Sequence, residues 1–165
     1  MTAALQPFGV PLIVNDRVDV ALAAGAAGVH VGQDDMAVED ARGLVGTGRF
    51  VGLSIRTPEQ AAAAPLALLD YAGIGGVYTT MSKAGAKRPI GLDGLSEVIK
   101  VLRGRIGGFP VCGIAGITAA NARPVIAAGA DGVSVISALS RCCDPQAAAH
   151  ELRAAVDGAL IAHVP

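Results

Sequence analysis

The sequence predicts an α/β fold in which helices cover a parallel β-sheet, and three observations point to it. Short runs of apolar, β-branched residues alternate with alanine-rich helical segments along the chain. These runs are apolar on both faces, as in parallel strands that are buried on both sides. The segment AAGAAGVHV from Ala23 also returns as AAGADGVSV from Ala127, which indicates a repeated helix–turn–strand unit.

The spacing of this repeat predicts the number of units. If its offset of 127 − 23 = 104 residues spans four strand–helix units, each unit has 104/4 = 26 residues, and a chain of 165 residues holds about six. A closed (β/α)8 barrel needs eight units and rarely fits in fewer than about 200 residues. The residues alone therefore allow an open doubly wound sheet or a barrel that lacks two units. No linker divides the chain, so we expect a single domain over residues 1–165.

We predict six strands that alternate with six helices. Parallel strands need a crossover connection between them, and a helix usually provides it. The strands are PLIV from Pro11, GVHV from Gly28, FVGLS from Phe50, GGVY from Gly75, PVCGI from Pro110 and GVSVIS from Gly132. The helices cover residues 19–24, 39–45, 58–69, 94–102, 120–128 and 145–160.

The composition excludes several classes of protein. A net charge of −1 and 3% aromatic residues argue against a nucleic-acid-binding protein. The mean hydropathy is +0.52, but glycine and proline interrupt the longest uncharged stretch, residues 106–122, so we expect no membrane span. Three cysteines without CxxC spacing indicate neither a disulfide framework nor a zinc site. We therefore expect a soluble cytoplasmic protein.

Polar residues follow the predicted strands at their C-terminal ends, the edge where parallel α/β folds build their sites. NDR follows the first strand and QDD the second. Asp16 could cap one helix and Asp34 or Asp35 the next. Alternatively, Asp16 and one of Asp34 and Asp35 converge at the ends of successive strands. Such a pair favours a shared cation, because neighbouring carboxylates repel each other without one. Mg²⁺ suits such a pair, since it takes one or two carboxylates and completes its shell with water and phosphate oxygens.

Two later loops carry hydroxyl groups and glycine. The loop from Thr79 to Lys83 contains hydroxyls and a cation, which suits either closure over an anion or a solvated surface. The GIAGIT loop, residues 113–118, lets backbone N–H groups approach a phosphate, although a tight β–α connection needs glycine as well. With Ser137 on the next strand it resembles the phosphate site of barrels. We expect His30, within a strand, to be a packed core histidine rather than a catalyst.

Several blocks of the chain together resemble thiamine phosphate synthase in order and spacing. They are PLIVNDRVDVALAAGAAGVHVGQDDM, VGLSIRT, GGVYTTMSK, RPIGLDGL, CGIAGIT and AAGADGVSVISAL, and the resemblance runs from about Phe8 to Ala149. It implies a TIM barrel and an enzyme that joins hydroxymethylpyrimidine diphosphate to hydroxyethylthiazole phosphate with loss of pyrophosphate. Such a transfer needs a stabilised leaving group and exclusion of water rather than a strong base.

The resemblance also implies roles for individual residues. Asp16 and Asp35 match the Mg²⁺ ligands of the family, and Asn15 lies beside the diphosphate. Lys83 and Ser54 are the expected catalytic residues. The other substrate contacts are Thr80 and Ser82, which join Lys83 at the pyrophosphate and the thiazole substrate, and Gly116, Ile136 and Ser137, which cradle the thiazole phosphate.

The chain departs from the family pattern in several places. Thr79, Ser82 and Ala115 stand where proline, threonine and glycine are common. The family's first two strands and their Gln-x-Arg-x-Lys block have no counterpart, which predicts a shortened chain, an incomplete barrel of six units and impaired activity. A homo-oligomer or another partner would then cover the open sheet edge. The alternative within the same fold is a thiazole tautomerase-like or non-catalytic thiazole-phosphate-binding protein.

Overall fold

A computed structural model describes residues 1–82 and 88–162 of the chain. These residues divide into two compact units. The first consists of residues 1–55 and 63–72, and the second of residues 56–62 and the chain from Gly73 onward. The single domain over residues 1–165 stays a prediction. Within the described ranges, no helix combines the length and the apolar character that a membrane span requires.

The first unit carries three complete strands and the beginning of a fourth. Its strands are β1 (Ile13–Asn15), β2 (Gly28–Val31), β3 (Phe50–Ile55) and the first two residues of β4 (Tyr71–Gly75). Neighbouring strands follow the order of the chain, and the β1–β2 and β2–β3 pairs are parallel. Its helices are α1 (Thr2–Leu5), α2 (Val18–Ala23) and α3 (Val38–Val45), with 3-10 helices at Gln6–Phe8 and Leu66–Leu68.

The second unit begins with a helix and continues with the end of β4. Its elements are α4 (Pro58–Ala63), the last three residues of β4, α5 (Gly91–Arg105), β5 (Val111–Ile114), α6 (Ala119–Ala127), β6 (Gly132–Ser134), α7 (Ser137–Ser140) and α8 (Pro145–Ile161). The strands again lie in chain order, β5 and β6 are parallel, and α6 packs against α8.

Helices pack through apolar stripes at helical spacing. In α3 the buried residues are Val38, Ala41 and Val45, at positions i, i+3 and i+7. In α5 the buried residues are Leu95, Val98, Ile99 and Leu102, which lie on one face of the helix. The strands between the helices contribute fully buried β-branched residues such as Val29 and Ile74. These apolar residues of the helices and strands are therefore buried, as the alternating sequence pattern predicts.

The strand order decides between the two folds that the residues allowed. A doubly wound sheet reverses its strand order at a switch point. Strand β4 contributes residues to both units, and the strands on either side of it, β3 and β5, continue the chain order without a reversal, as in a barrel. The open doubly wound alternative is therefore wrong. Over residues 1–82 and 88–162 the prediction of six strand–helix units is confirmed.

One predicted strand is displaced in the structure. GGVY from Gly75 was the expected fourth strand, whereas β4 covers Tyr71–Gly75. The strand contains two glycines, which lowers its β-propensity and hides it in the sequence. Gly76 has a φ of 79°, a left-handed conformation that ends the strand, and Val77 is buried in the loop beyond it. The loop from Thr79 therefore begins several residues after the strand rather than directly behind it.

Two further boundaries differ from the prediction. Strand β6 ends at Ser134, and Ser137 begins the short helix α7 instead of lying on the strand. The helix expected over residues 58–69 ends at Ala63 and is followed by a 3-10 turn at Leu66–Leu68. Pro65 separates the two pieces, because proline lacks the N–H that a continuous helix would use.

Each unit fixes the beginning of its strands with the same pair of side chains. In the first unit, the Asp70 carboxylate accepts from the N–H of Val51 at 2.7 Å and pairs with Arg42 at 2.6 Å, while the Asp70 N–H donates to the Val51 carbonyl. In the second, Asp131 makes the same three contacts with Val111 and Arg103. We call the two sets the Arg42–Asp70 anchor and the Arg103–Asp131 anchor. Both lie at the N-terminal ends of strands, away from the predicted site.

Candidate active site

Asp16 occupies a strained position directly after β1. Its φ is 65°, in the left-handed region, which aspartate tolerates better than most residues. Its N–H donates to the carbonyl of His30 at 2.8 Å, which ties the turn to the neighbouring strand β2. Helix α2 has Arg17 as its N-cap residue, with no side-chain capping bond. Asp16 therefore lies one residue before the N-cap position of α2.

Asp35 closes the loop that follows β2. Its Oδ2 accepts from the N–H of Gly32 at 2.7 Å, so the side chain folds back over the turn Gly32–Asp35. Helix α3 begins after Ala37, its N-cap residue, again without a side-chain capping bond. Neither Asp34 nor Asp35 is thus a helix cap. The bond to Gly32 engages only one of the two carboxylate oxygens of Asp35.

The donor set of these two loops fits Mg²⁺ better than zinc. Asp16 and Asp35 are both exposed and follow adjacent strands of the first unit. Among the residues that the structure describes, no three His, Cys, Asp or Glu side chains gather as a metal site. Zinc sites use three or four such ligands, whereas Mg²⁺ is held by one or two carboxylates with water and phosphate. The assignment of Asp16 and Asp35 as metal ligands stays a prediction.

The side chains of Tyr71, His30 and Ser54 form a hydrogen-bonded chain beside the loop that follows β2. His30 Nδ1 is 3.0 Å from the hydroxyl of Tyr71, and His30 Nε2 is 2.9 Å from the hydroxyl of Ser54. Burial lowers the pKa of His30, and the nearby Asp35 carboxylate opposes this shift. His30 is partly buried and packed, as expected from its place within a strand. It also contacts Ser54, which the sequence predicted as a catalytic residue.

Gly52 provides the space for this chain. It lies opposite His30 in the β2–β3 register. A Cβ atom at Gly52 would overlap the ring of Tyr71 and Nδ1 of His30. A second contact fixes the same strand end, because the side-chain amide of Gln33 donates to the carbonyl of Ser54 at 2.7 Å. Ser54 is thus held through its hydroxyl and its backbone, while the predicted diphosphate contact Asn15 is exposed at the end of β1.

The second unit contains a pocket that gathers most of the other predicted residues. Its empty volume is about 240 Å³, a figure that includes space open to solvent. Thr80, Ser82, Gly116, Ile136 and Ser137 all line it. The further lining residues are Ile114, Ala115, Ile117, Ser134 and Val135, so none of the described lining residues is charged. Lys83, predicted to be catalytic, lies outside the described residues.

The backbone of the GIAGIT loop explains why glycine stands at position 116. Gly116 has a φ of 66°, and a Cβ atom there would overlap the carbonyl oxygen of Thr79. Ala115, just before it, also has a positive φ of 88°, although alanine rarely adopts this conformation. The side-chain amide of Asn121 fixes the loop with two hydrogen bonds. It donates to the Gly116 carbonyl at 3.0 Å and accepts from the N–H of Thr118 at 2.7 Å.

The comparisons with known proteins identify the family. The family model described as thiamine monophosphate synthase matches residues 1–139. The chain belongs to this family. Thiamine-phosphate synthase of Agrobacterium fabrum is 45% identical over 162 residues, which are 98% of this chain and 74% of that protein. The enzyme of Roseiflexus sp. is 50% identical over 152 residues, 92% of this chain and 62% of that protein.

A solved structure supports the thiamine monophosphate synthase assignment at the level of the fold. Thiamine phosphate pyrophosphorylase from Pyrococcus furiosus superposes with a TM-score of 0.82 at 36% identity, covering 96% of this chain and 73% of that one. The fold is thus an α/β fold of the TIM-barrel type. The family is one of transferases of thiamine biosynthesis, and the tautomerase-like or non-catalytic alternative is not favoured.

The sequence predictions missed several residues that shape the candidate site. Tyr71 and Gly52 escaped notice because their contact with His30 joins strands that are distant in sequence. Asn121 could have been found, since an amide three residues after Thr118 is typical of a capping arrangement at a helix start. Arg56, which follows β3 as part of the polar pattern at the strand ends, lies over Gly76 and donates to the carbonyl of Arg88.

Proposed function

We propose that this chain joins a hydroxymethylpyrimidine diphosphate to a hydroxyethylthiazole phosphate, and releases pyrophosphate. The observation that carries the proposal is the pocket of the second unit, where five of the predicted substrate-binding residues line one cavity. Isoleucine and valine side chains line it together with serine and threonine. This composition suits a small heterocycle that carries a phosphate. Because none of the described lining side chains is charged, hydroxyl and backbone N–H groups would hold the phosphate.

The thiazole phosphate then occupies the pocket of the second unit. Gly116 brings its backbone close to the ligand, since a glycine has no side chain to separate them. Ser137 and Ser82 offer hydroxyl donors, and Ile136, which is 58% exposed, offers an apolar contact for the ring. Thr80 acts differently, because its hydroxyl already accepts from the N–H of Ser82 at 3.1 Å and so shapes the loop.

The diphosphate is assigned to the loops of the first unit. Asp16 and Asp35 would hold Mg²⁺, which when bound neutralises the charge of the departing pyrophosphate. Asn15 and Ser54 donate hydrogen bonds to diphosphate oxygens. Donors that are fixed in place before the bond breaks stabilise the developing charge without further reorganisation.

The test is a product assay on the purified chain. With both substrates and Mg²⁺ present, we expect thiamine phosphate and pyrophosphate to form in equal amounts. Chelation of Mg²⁺ should stop both. Binding of the thiazole phosphate without any release of pyrophosphate would contradict the proposed transfer and would identify a non-catalytic binding protein.

We also propose that a second copy of the chain, or another protein, packs against the first unit near β1. Two apolar side chains there are exposed to an unusual degree, Phe8 at 79% and Val10 at 51%. Analytical ultracentrifugation tests the second copy, and a monomer at micromolar concentration would contradict it and leave another protein as the partner. The cytoplasmic location stays a prediction from the cysteine content.

A further inference from the structure

We propose that Tyr71 and His30 are positioning residues that aim the hydroxyl hydrogen of Ser54 at the anionic substrate. In this arrangement the Tyr71 hydroxyl donates to Nδ1 of His30, and the Nε2–H of His30 donates to the Ser54 oxygen. The hydrogen of Ser54 is then available for a diphosphate oxygen. The inference rests on the proposed function, in which Ser54 contacts the diphosphate.

The geometry connects the three groups in one line. Both ring nitrogens of His30 have a hydroxyl within hydrogen-bond distance, at 3.0 Å for Tyr71 and 2.9 Å for Ser54. The rings of His30 and Tyr71 are also in contact, with centroids 5.4 Å apart. The backbone leaves room for this pair only because position 52 is glycine. The position of the imidazole is therefore determined by the strands around it.

The chemistry of the two hydroxyls decides the direction of the chain. A neutral imidazole has one N–H donor and one acceptor nitrogen, so one hydroxyl must donate and the other must accept. The phenol of tyrosine, with a pKa of about 10, is a far stronger acid than the hydroxyl of serine and is the better donor. Tyr71 therefore donates to Nδ1, and Nε2 carries the hydrogen. Each bond in such a chain polarises the next.

The direction at Ser54 does not depend on the charge of the imidazole. In the favoured neutral tautomer Nε2 carries a hydrogen, and in the imidazolium both nitrogens do. His30 donates to Ser54 in both states. Only in the opposite neutral tautomer, with the hydrogen on Nδ1, would the hydroxyl of Ser54 donate its hydrogen to Nε2 of the ring.

Nitrogen NMR of the free protein tests the tautomer without any enzyme assay. The chain has three histidines, so labelling histidine with ¹⁵N gives few signals, and comparison with His30→Gln identifies those of His30. At about pH 8, above the usual pKa of histidine, we expect the hydrogen on Nε2 and a bare Nδ1. A spectrum in which Nδ1 carries the hydrogen would overturn the proposal.

Two amide substitutions at His30 test the function of this direction. The amide of glutamine reaches the place of Nε2 and can donate to Ser54, whereas the amide of asparagine reaches only the place of Nδ1. We expect His30→Asn and Tyr71→Phe to lower kcat about tenfold with little change in KM, as for other groups that orient a functional residue, and His30→Gln to retain more activity. His150→Gln, on the exposed face of α8, is the matched control. Equal kcat for the two His30 variants, at equal thermal stability, would overturn the proposal.

A double substitution separates this inference from the proposed function. In a Ser54→Ala background, Tyr71→Phe should cause no further loss of kcat, because it acts through Ser54. A further tenfold loss would overturn the positioning role. If Ser54→Ala alone leaves kcat unchanged, the assignment of Ser54 in the proposed function fails, while the NMR result still decides the tautomer.

Discussion

The two units of the chain are alike where their strands begin and different where their strands end. Each unit fixes the start of a strand with an arginine–aspartate anchor, Arg42–Asp70 in the first and Arg103–Asp131 in the second. At the opposite strand ends, the first unit presents carboxylates and an imidazole that contacts the hydroxyl of Ser54, whereas the second presents glycine, small hydroxyls and aliphatic side chains. The first site therefore depends on side-chain chemistry, and the second on the path of the backbone.

A pair of strained residues shows the same contrast. Asp16 and Ala115 each follow a strand directly, and both have a positive φ, 65° and 88°. Aspartate tolerates this conformation because its short polar side chain can bond to the local backbone, but alanine gains nothing from it. In the first unit the strained position carries a functional group, whereas in the second it carries only the backbone.

Removing charge from the first unit should have the largest effect. Asp16→Asn and Asp35→Asn keep the shape of the loops, and asparagine also tolerates the left-handed conformation at position 16. We expect each to lower kcat/KM about 1000-fold at fixed Mg²⁺, because the diphosphate loses its bound counter-charge. Steady-state kinetics measure this. Asp34→Asn, which changes a neighbouring exposed carboxylate, is the control and should remain near wild type.

Adding a single methyl group to the second unit should be nearly as damaging. Gly116→Ala forces a Cβ atom onto the Thr79 carbonyl at a positive φ, and we expect it to cost about 2 kcal/mol of unfolding free energy and to raise KM for the thiazole phosphate. Urea unfolding and kinetics measure the two effects. Gly132→Ala is matched, because a Cβ atom there meets no atom within 4 Å. Equal behaviour of the two variants would contradict the backbone argument.

The two anchors should differ in strength although their design is the same. Arg42 also donates to three carbonyl oxygens, those of Gly46, Arg49 and Leu68, and its side chain is only 15% exposed.

Arg103 is 31% exposed, and its buried Nε has no partner among the described residues. We expect Arg42→Met to cost about 3 kcal/mol of unfolding free energy and Arg103→Met about 1 kcal/mol. Chemical denaturation measures both, and an equal cost would show that the carbonyl contacts of Arg42 contribute little.

Relieving the strain at Ala115 should stabilise the chain slightly. We expect Ala115→Gly to raise the free energy of unfolding by about 0.5–1 kcal/mol, because glycine adopts the left-handed region without a steric penalty. Ala120→Gly, on the exposed start of α6, should have the opposite sign, since glycine weakens a helix. Thermal unfolding of both variants is the measurement, and a shift of the same sign in both would contradict the strain argument.

Acid should weaken the first unit through His30, with the smallest effect. Burial lowers the pKa of this imidazole below its usual 6.5, so the unfolded chain takes up a proton before the folded chain does. The stability that the neutral imidazole contributes is present above the unfolded pKa and is lost as the pH falls from 6.5 through the folded pKa. Urea midpoints over this range should fall more steeply for wild type than for His30→Gln. Parallel slopes would contradict this.

Local pattern predicted most elements of the fold, because alternating apolar strands and alanine-rich helices leave a direct trace in the residues. Strand β4 escaped because two of its five residues are glycine, and Val77 gave an apolar signal from a buried loop instead. The predicted pocket residues converge, since their place after parallel strands follows from the fold. The His30–Tyr71 contact could not be predicted, because it depends on an empty position at Gly52 across the sheet.

The anchors also have a consequence for redesign. Because Asp70 and Asp131 bind their strands at the ends opposite to the site loops, each sheet segment keeps its alignment through contacts that lie away from those loops. The anchors thus stabilise the N-terminal ends of the strands, and the loops at the C-terminal ends form the site. The recognition loops can therefore be exchanged or lengthened to accept a different heterocycle while the scaffold beneath them stays intact.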